Sequence, residues 1–126
     1  MKVCVIGSGG REHALARRLY DSPSVTAGYA VPGSAAMAEV ATCENLDWAD
    51  TPALLSFLKA NGVDLVVIGP EAPLVAGLGD TLRDAGYAVF GPSKAAARLE
   101  GSKVFAKEIM KKYNIPTAAY GVFSDV

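Results

Sequence analysis

Apolar residues along the first ninety positions fall into short runs separated by helix-like segments. Continuous β-branched runs at 2–7 and 64–69 have the length and composition of parallel strands that are buried on both faces. Shorter apolar segments at 26–31 and 87–90 predict two more strands, and a weak short strand is expected somewhere within 38–46. The pattern therefore predicts several strands that alternate with helices.

The intervening segments carry helix start and stop signals. Helices are expected at 11–20, from an Asp50 or Thr51 cap with Pro52 at the first position to about 60, at 74–85, and at 93–113 with a possible break at Gly101-Ser102. A final strand is expected to start within 117–123. Strands and helices in this order predict an α/β fold, a Rossmann-like doubly wound parallel sheet with helices on both faces.

Composition narrows the class of protein. A chain of 126 residues has about the length of one domain, and an apolar fraction of 51% indicates a globular rather than a disordered chain. A net charge of −1 argues against general binding to nucleic acid, which requires a basic surplus. No apolar run approaches the roughly 18 residues of a membrane span, and Met1-Lys2 leads straight into an apolar run that is too short for a secretion signal. Cys4 is expected to be a small core residue, and the cytoplasm is the expected compartment.

Charge is distributed unevenly along the chain. Residues 1–93 hold six Lys or Arg and ten Asp or Glu, a net charge of −4, whereas residues 94–126 hold six and three, a net charge of +3. This change indicates a second structural unit that begins late in the chain, and a final strand with no crossover behind it is an unusual end for a doubly wound domain. Residues 1–100 are therefore expected to form one domain. Residues 101–126 are then expected to be the start of a second, truncated domain.

The first strand ends in a glycine-rich loop, Gly7-Ser8-Gly9-Gly10. Free N–H groups where such a loop opens a helix can hold a phosphate. A dinucleotide site of the form G-x-G-x-x-G/A is disfavoured, because its third position is Glu12 rather than a small residue and no acidic residue follows the second strand. A tight turn without a ligand, with Arg11 and Glu12 simply solvated, remains an alternative.

A second candidate ligand-binding loop is 69–73, Gly-Pro-Glu-Ala-Pro. Its two prolines are expected to keep Gly69 and Ala72 out of helical geometry and to hold Glu71 at the ligand-binding edge of the sheet. The carboxylate of Glu71 suits the two hydroxyls of a ribose. The alternative is a surface residue beside a helix N-terminus. His13 is the only histidine, and the sequence assigns neither a catalytic residue nor a metal ligand.

Several motifs together resemble the amino-terminal domain of the phosphoribosylamine–glycine ligase (glycinamide ribonucleotide synthetase) family. They are Val5–Ala14, Gly69–Gly77, Phe90-Gly91-Pro92, Leu99–Lys103 with Phe105 and Lys107, and Ile115–Ala118. The resemblance implies a carbon–nitrogen ligase of the ATP-grasp type in purine biosynthesis. Such a ligase joins glycine to 5-phosphoribosylamine with ATP and Mg²⁺ (or Mn²⁺) and releases ADP and phosphate.

The resemblance also implies roles for residues. Ser8, Gly9, Gly10 and Arg11 would receive the 5′-phosphate, Glu71 the ribose hydroxyls, and Lys103 would contact the nucleotide. Most ATP and metal ligands would lie in an ATP-grasp domain beyond this chain, so the chain alone is expected to be inactive. One departure from the family is Pro32-Gly33-Ser34-Ala35, where the family usually has Asn after Pro-Gly and then a further Gly.

Two other classes stay open at this point. One is a stand-alone nucleotide- or dinucleotide-binding module, which NAD would stabilise. The other is a non-catalytic interaction domain, which would bind no phosphosugar.

Overall fold

A five-stranded parallel sheet forms the centre of the molecule in the computed structural model, which describes residues 1–123. The strands are β1 Lys2–Gly7, β2 Ala27–Pro32, β3 Thr42–Cys43, β4 Leu65–Ile68 and β5 Ala88–Phe90. Their order in the sheet is β3-β2-β1-β4-β5, and all four neighbouring pairs are parallel. The predicted doubly wound α/β fold is therefore confirmed.

Within residues 1–123, six α-helices and one 3₁₀ turn connect and follow these strands. They are α1 Gly10–Tyr20, the 3₁₀ turn Met37–Glu39, α2 Thr51–Asn61, α3 Glu71–Ala76, α4 Leu78–Asp84, α5 Lys94–Gly101 and α6 Lys103–Lys112. Asp50 caps α2 as expected, because its Oδ1 accepts from the Ala53 N–H at 3.1 Å, whereas Pro52 is the second helical residue rather than the first. Among the described residues, no helix is both long and apolar enough to cross a membrane.

The sheet is buried on both faces, which explains the unbroken apolar runs of β1 and β4. Alternate residues of β1 point to opposite sides: Val3 and Val5 join one core cluster, and Cys4 and Ile6 join the other. The first cluster packs under α1 and the 3₁₀ turn, and the second under α2 to α5. Burial raises the pKa of the Cys4 thiol to about 12, so Cys4 is an inert core residue, as predicted.

The segment predicted as one helix over 74–85 is two helices. Helix α3 starts earlier, at Glu71, and ends at Ala76, because its C-cap Gly77 has a φ of 100° in the left-handed region that favours glycine. Helix α4 begins directly after it. The sequence reasoning missed this because the apolar spacing continues smoothly across Gly77.

The C-terminal segment differs in part from the prediction. The break at Gly101-Ser102 is confirmed, and Ser102 caps α6 through a hydrogen bond that its Oγ accepts from the Phe105 N–H at 3.3 Å. The strand expected at 117–123 is wrong, because these residues form neither helix nor strand. A strand needs a hydrogen-bonded neighbour, and no described strand adjoins this segment.

Truncating the core at Leu58 provides a test of the packing on the α2 face. Leu58 is fully buried, so Leu58→Ala is expected to lower the free energy of unfolding by about 2–5 kcal/mol. Leu99→Ala removes the same atoms from a side chain that is 50% exposed, and its effect should stay within about 0.5 kcal/mol. Urea denaturation of the three proteins measures both values, and equal losses would contradict this description of the core.

Helix α6 should open far more easily than the sheet. It contains no buried residue, and its main helical neighbour is α5. Hydrogen exchange should therefore be fast for the amides of 103–112 and slow for those of β1 and β4. Equal protection of α6 and β1 would show that α6 belongs to the same cooperative unit.

Candidate functional site

The loops after β1 and β4 meet at the carboxyl edge of the sheet. The chain leaves β1 toward β2 on one side, while β4 and β5 lie on the other, so the strand order reverses between β1 and β4. This is the position where open α/β sheets bind ligands. The Gly69 N–H donates to the Ile6 carbonyl at 3.2 Å, which joins the two loops at the reversal point.

The glycine-rich loop presents backbone N–H groups at the start of α1. Gly7 has a φ of 127°, which only glycine adopts without strain. Gly9 is the N-cap residue, and its N–H donates to Oε2 of Glu12 at 2.9 Å. The N–H groups of Ser8, Gly10 and Arg11 have no protein partner within residues 1–123. Three of the four predicted phosphate-binding residues therefore offer an amide, and the amide of Gly9 is already engaged.

Glu12 is the most unusual residue of the site, because it is charged and only 4% exposed. Its Oε1 accepts from Nε of Arg11 at 2.9 Å, and its Oε2 accepts from Gly9. A buried carboxylate requires such partners, because burial without them is costly. The alternative in which Glu12 is solvated is therefore wrong.

Glycines make room for this carboxyl group. A Cβ at Gly7 would lie 2.5 Å from Cγ of Glu12, and a Cβ at Gly9 would lie 2.7 Å from Oε2. A Cβ at Gly69 would also overlap the Glu12 side chain. The large residue at the third motif position is thus accommodated in space that these glycines leave open on both loops.

Arg11 and Glu71 project from the two loops on the solvent side. The guanidinium Nη2 of Arg11 lies 3.9 Å from Oε2 of Glu71, and more than half of each side chain is exposed. The hydrogen bond to Glu12 is the main reason that the pKa of Arg11 lies above its ordinary value. Desolvation acts against it, and the charges of Glu12, Glu71 and Glu100 each raise the pKa by a smaller amount. The structure thus brings Ser8–Arg11 and Glu71 to one edge of the sheet.

The local geometry around Glu71 differs from the prediction. Glu71 is the first residue of α3, and Ala72 and Pro73 are helical rather than extended. Pro73 is tolerated there because an N–H in the first turn has no partner within the helix. Gly69 stays outside the helix, as predicted, and the extended N-cap Pro70 places Glu71 at the first position of α3.

A cavity of about 410 Å³ opens beside the glycine-rich loop. Its wall consists of Gly7, Ser8, Gly9 and Glu12 from the first loop and helix, Pro32 and Pro70 from the ends of the neighbouring strands, and the Asn45–Trp48 segment. Sequence reasoning missed this last segment. The loop after β3 must lie at the same edge as the other loops, but the weakness of the β3 pattern concealed the signal.

The Pro32-Gly33-Ser34 segment contributes to the cavity only through Pro32. The Oγ of Ser34 accepts a hydrogen bond from the Met37 N–H at 3.4 Å, so Ser34 supports the 3₁₀ turn. His13 does not line the cavity, and its Nε2 is buried without a hydrogen-bond partner among the described residues.

Lys103 lies apart from this cavity, at the first position of α6. It lines a separate depression of about 430 Å³ together with Val104, Lys107 and the 120–123 segment. Lys107 Nζ donates to Oγ1 of Thr117 at 2.6 Å and lies 5.3 Å from the centre of the Tyr120 ring. This surface combines two cations with aromatic side chains.

A parallel sheet with free amides and an acidic side chain at its reversal point defines an α/β domain that can bind a phosphorylated sugar or nucleotide. The sequence profile of the family described as phosphoribosylglycinamide synthetase, N domain, matches residues 1–100. The chain belongs to this family.

Individual relatives agree with this assignment. The chain is 58% identical over 123 residues to the phosphoribosylamine–glycine ligase of Agrobacterium fabrum, covering 98% of this chain and 29% of that protein. It is 51% identical over 128 residues to the same ligase of Escherichia coli O157:H7, with 100% and 30% covered. The chain therefore spans less than a third of the length of these relatives.

Solved structures show the same fold. The phosphoribosylamine–glycine ligase of Thermotoga maritima superposes with a TM-score of 0.69 at 34% identity, covering 94% of this chain and 26% of that one. N5-carboxyaminoimidazole ribonucleotide synthetase from the same organism gives a TM-score of 0.71 at 22% identity, with 99% and 34% covered. The second likeness concerns the fold alone.

Two Gly→Ala substitutions test whether glycine is needed to make room for the Glu12 side chain. One lies against Glu12 and the other faces open space. Gly69→Ala forces a Cβ into Glu12 and should cost about 1–3 kcal/mol of unfolding free energy. Gly10→Ala enters open space at the start of α1, so it should be neutral or stabilising by up to about 1 kcal/mol.

Chemical denaturation measures both changes. In a Glu12→Ala background the obstruction is gone, so Gly69→Ala should lose most of its cost there. A cost at Gly69 that is independent of Glu12 would contradict the packing described here.

Proposed function

We propose that this chain is the amino-terminal substrate domain of a longer ligase. That ligase joins glycine to 5-phosphoribosylamine with ATP and gives glycinamide ribonucleotide, ADP and phosphate. The observation that carries the proposal is the meeting of the glycine-rich loop with Glu71 at the strand reversal between β1 and β4. The names of the relatives supply the reaction.

The 5′-phosphate binds to the loop 8–11. The unpaired N–H groups of Ser8, Gly10 and Arg11 and the start of α1 favour a bound anion there. The exposed guanidinium of Arg11 supplies a positive charge beside them. Gly9 contributes through its conformation at the N-cap, since Glu12 already holds its N–H.

The ribose hydroxyls donate to the carboxylate of Glu71. At 3.9 Å from Arg11, Glu71 is outside hydrogen-bond range of the guanidinium. Its oxygens have no hydrogen-bond donor within residues 1–123. A diol can therefore bind Glu71 without displacing a protein donor.

Residues 1–100 form the substrate domain, and residues 101–126, of which 124–126 lie outside the described residues, begin an ATP-grasp domain that continues in cis. Lys103 contacts the nucleotide from α6, and its neighbours Lys107 and Tyr120 suit a phosphate and a purine ring. Within residues 1–123, no three His, Cys, Asp or Glu side chains lie together to hold a metal ion. The ligands of Mg²⁺ or Mn²⁺ lie mostly in the rest of the ligase, which acts on small molecules in the cytoplasm.

A stand-alone dinucleotide module is less well supported. The Glu12 side chain occupies the space beneath the loop, and the segment after β2 supplies proline, glycine and serine rather than an acid for an adenine ribose. Thermal stabilisation of the chain by NAD, but not by ribose 5-phosphate, would favour that module instead.

Glu71→Gln in the full-length ligase tests the ribose assignment. The carboxylate accepts from two hydroxyls, whereas glutamine keeps one oxygen acceptor and introduces a donor. We expect kcat/KM for 5-phosphoribosylamine to fall about ten- to a hundredfold. Steady-state kinetics with freshly prepared substrate provide the measurement.

Glu39→Gln makes the same chemical change at an exposed position on the 3₁₀ turn and should leave kcat/KM unchanged. If Glu71→Gln stays within about twofold of the parent enzyme, Glu71 is structural and the ribose lies elsewhere.

The 126-residue chain alone should fold but release no ADP above background with glycine, ATP and 5-phosphoribosylamine. Both core clusters close within residues 3–97, but an acyl phosphate must be shielded from water. We assign the shielding segment and most metal ligands to the rest of the ligase. Circular dichroism establishes folding, and turnover by the folded chain would show that the ATP site lies within it.

A further inference from the structure

We propose that Glu12 is a positioning residue for the phosphoribosyl substrate, acting through the Gly9 amide and the Arg11 guanidinium. The inference rests on the proposed function, because it concerns how the same site is held in shape. Glu12 lines the cavity, but it is only 4% exposed and both of its carboxylate oxygens already accept from protein donors, so it is not expected to contact the substrate.

Each oxygen of Glu12 holds a different part of the binding loop. Oε2 accepts from the Gly9 N–H at 2.9 Å and fixes the direction of the peptide that precedes α1. Oε1 accepts from Arg11 Nε at 2.9 Å and leaves the terminal nitrogens of the guanidinium on the solvent side, where Nη2 faces Glu71. One carboxylate therefore orients both the amides and the cation that are assigned to the phosphate.

The same side chain links the two loops of the site. It packs against the Cα positions of Gly7 and Gly69, which follow β1 and β4. A Cβ at Gly7 would also lie 3.0 Å from Cδ of Pro70, the residue before Glu71. Glu12 thus fills the junction that determines the spacing between the phosphate loop and the proposed ribose-binding carboxylate.

A carboxylate is required at this junction because both partners are donors. Glutamine has nearly the same shape, but its amide has only one oxygen acceptor and directs an NH₂ group at the second donor. Glu12→Gln therefore keeps the packing and breaks one of the two hydrogen bonds. The Glu12→Gln variant therefore distinguishes the hydrogen-bonding role of Glu12 from its packing role.

The test is steady-state kinetics of the full-length ligase carrying Glu12→Gln, with Glu71→Gln and the exposed Glu39→Gln as comparisons. We expect the KM for 5-phosphoribosylamine to rise about tenfold in Glu12→Gln, with the KM values for ATP and glycine within twofold of the parent. A purely structural defect would instead lower kcat through loss of active protein and leave the three KM values alike.

An independent measurement follows the loop itself. Because Glu12 holds the Gly9 N–H, amide exchange at Gly9 should accelerate in Glu12→Ala, which loses both hydrogen bonds, while exchange in β4 stays unchanged. In Glu12→Gln the exchange rate at Gly9 should lie between those of the parent and Glu12→Ala, because the one glutamine oxygen can accept from only one of the two donors.

The outcomes separate the two proposals. If Glu71→Gln raises the KM for 5-phosphoribosylamine and Glu12→Gln does not, the proposed function stands and the positioning role is overturned. If neither variant changes it, the substrate does not bind at this edge, and both proposals are wrong. An increase in both, with Glu39→Gln unchanged, supports both.

Discussion

The architecture depends on the double burial of β1. This strand is hydrogen-bonded to β2 on one side and β4 on the other, and its side chains enter both core clusters. Because all its neighbours are parallel, every strand delivers its following loop to the same edge. Strand order reverses beside β1, so the loops that follow β1 and β4 meet there without any dedicated structure.

Burial on both faces also explains which parts of the fold are predictable from sequence. A strand covered on two sides needs an unbroken apolar run, and β1 and β4 have one. Strand β3 has only two residues and pairs with β2 alone, so it gives almost no periodic signal. The cavity wall at Asn45–Trp48 follows this weak strand and could not be located from the pattern. The boundary at Gly77 was hidden for a different reason, because φ rather than hydrophobicity ends α3 there.

The glycine-rich loop shows that comparing residue types with a sequence motif does not by itself reveal how the helix packs against the sheet. In a dinucleotide site the third position is small so that the helix can approach the strand. Here Glu12 takes that position, and the space comes instead from glycines on the loops that face it. The mismatch therefore indicates a different way of joining helix and sheet. Burial of Glu12 could not be predicted from its own segment, because the glycine opposite it lies 57 residues further along the chain.

The distribution of charge at the site follows from this arrangement. The cavity beside the loop has no Lys or Arg in its lining, so the phosphate binding proposed above would depend on backbone amides, the start of α1 and the guanidinium of Arg11. Such an arrangement attracts an anion weakly at long range and selects it by geometry at short range. The orientation of the loop amides and of the Arg11 guanidinium depends on Glu12, which accepts hydrogen bonds from Gly9 and Arg11. A buried carboxylate with two donors is a rigid support, since releasing either donor would leave a charged oxygen buried without a partner.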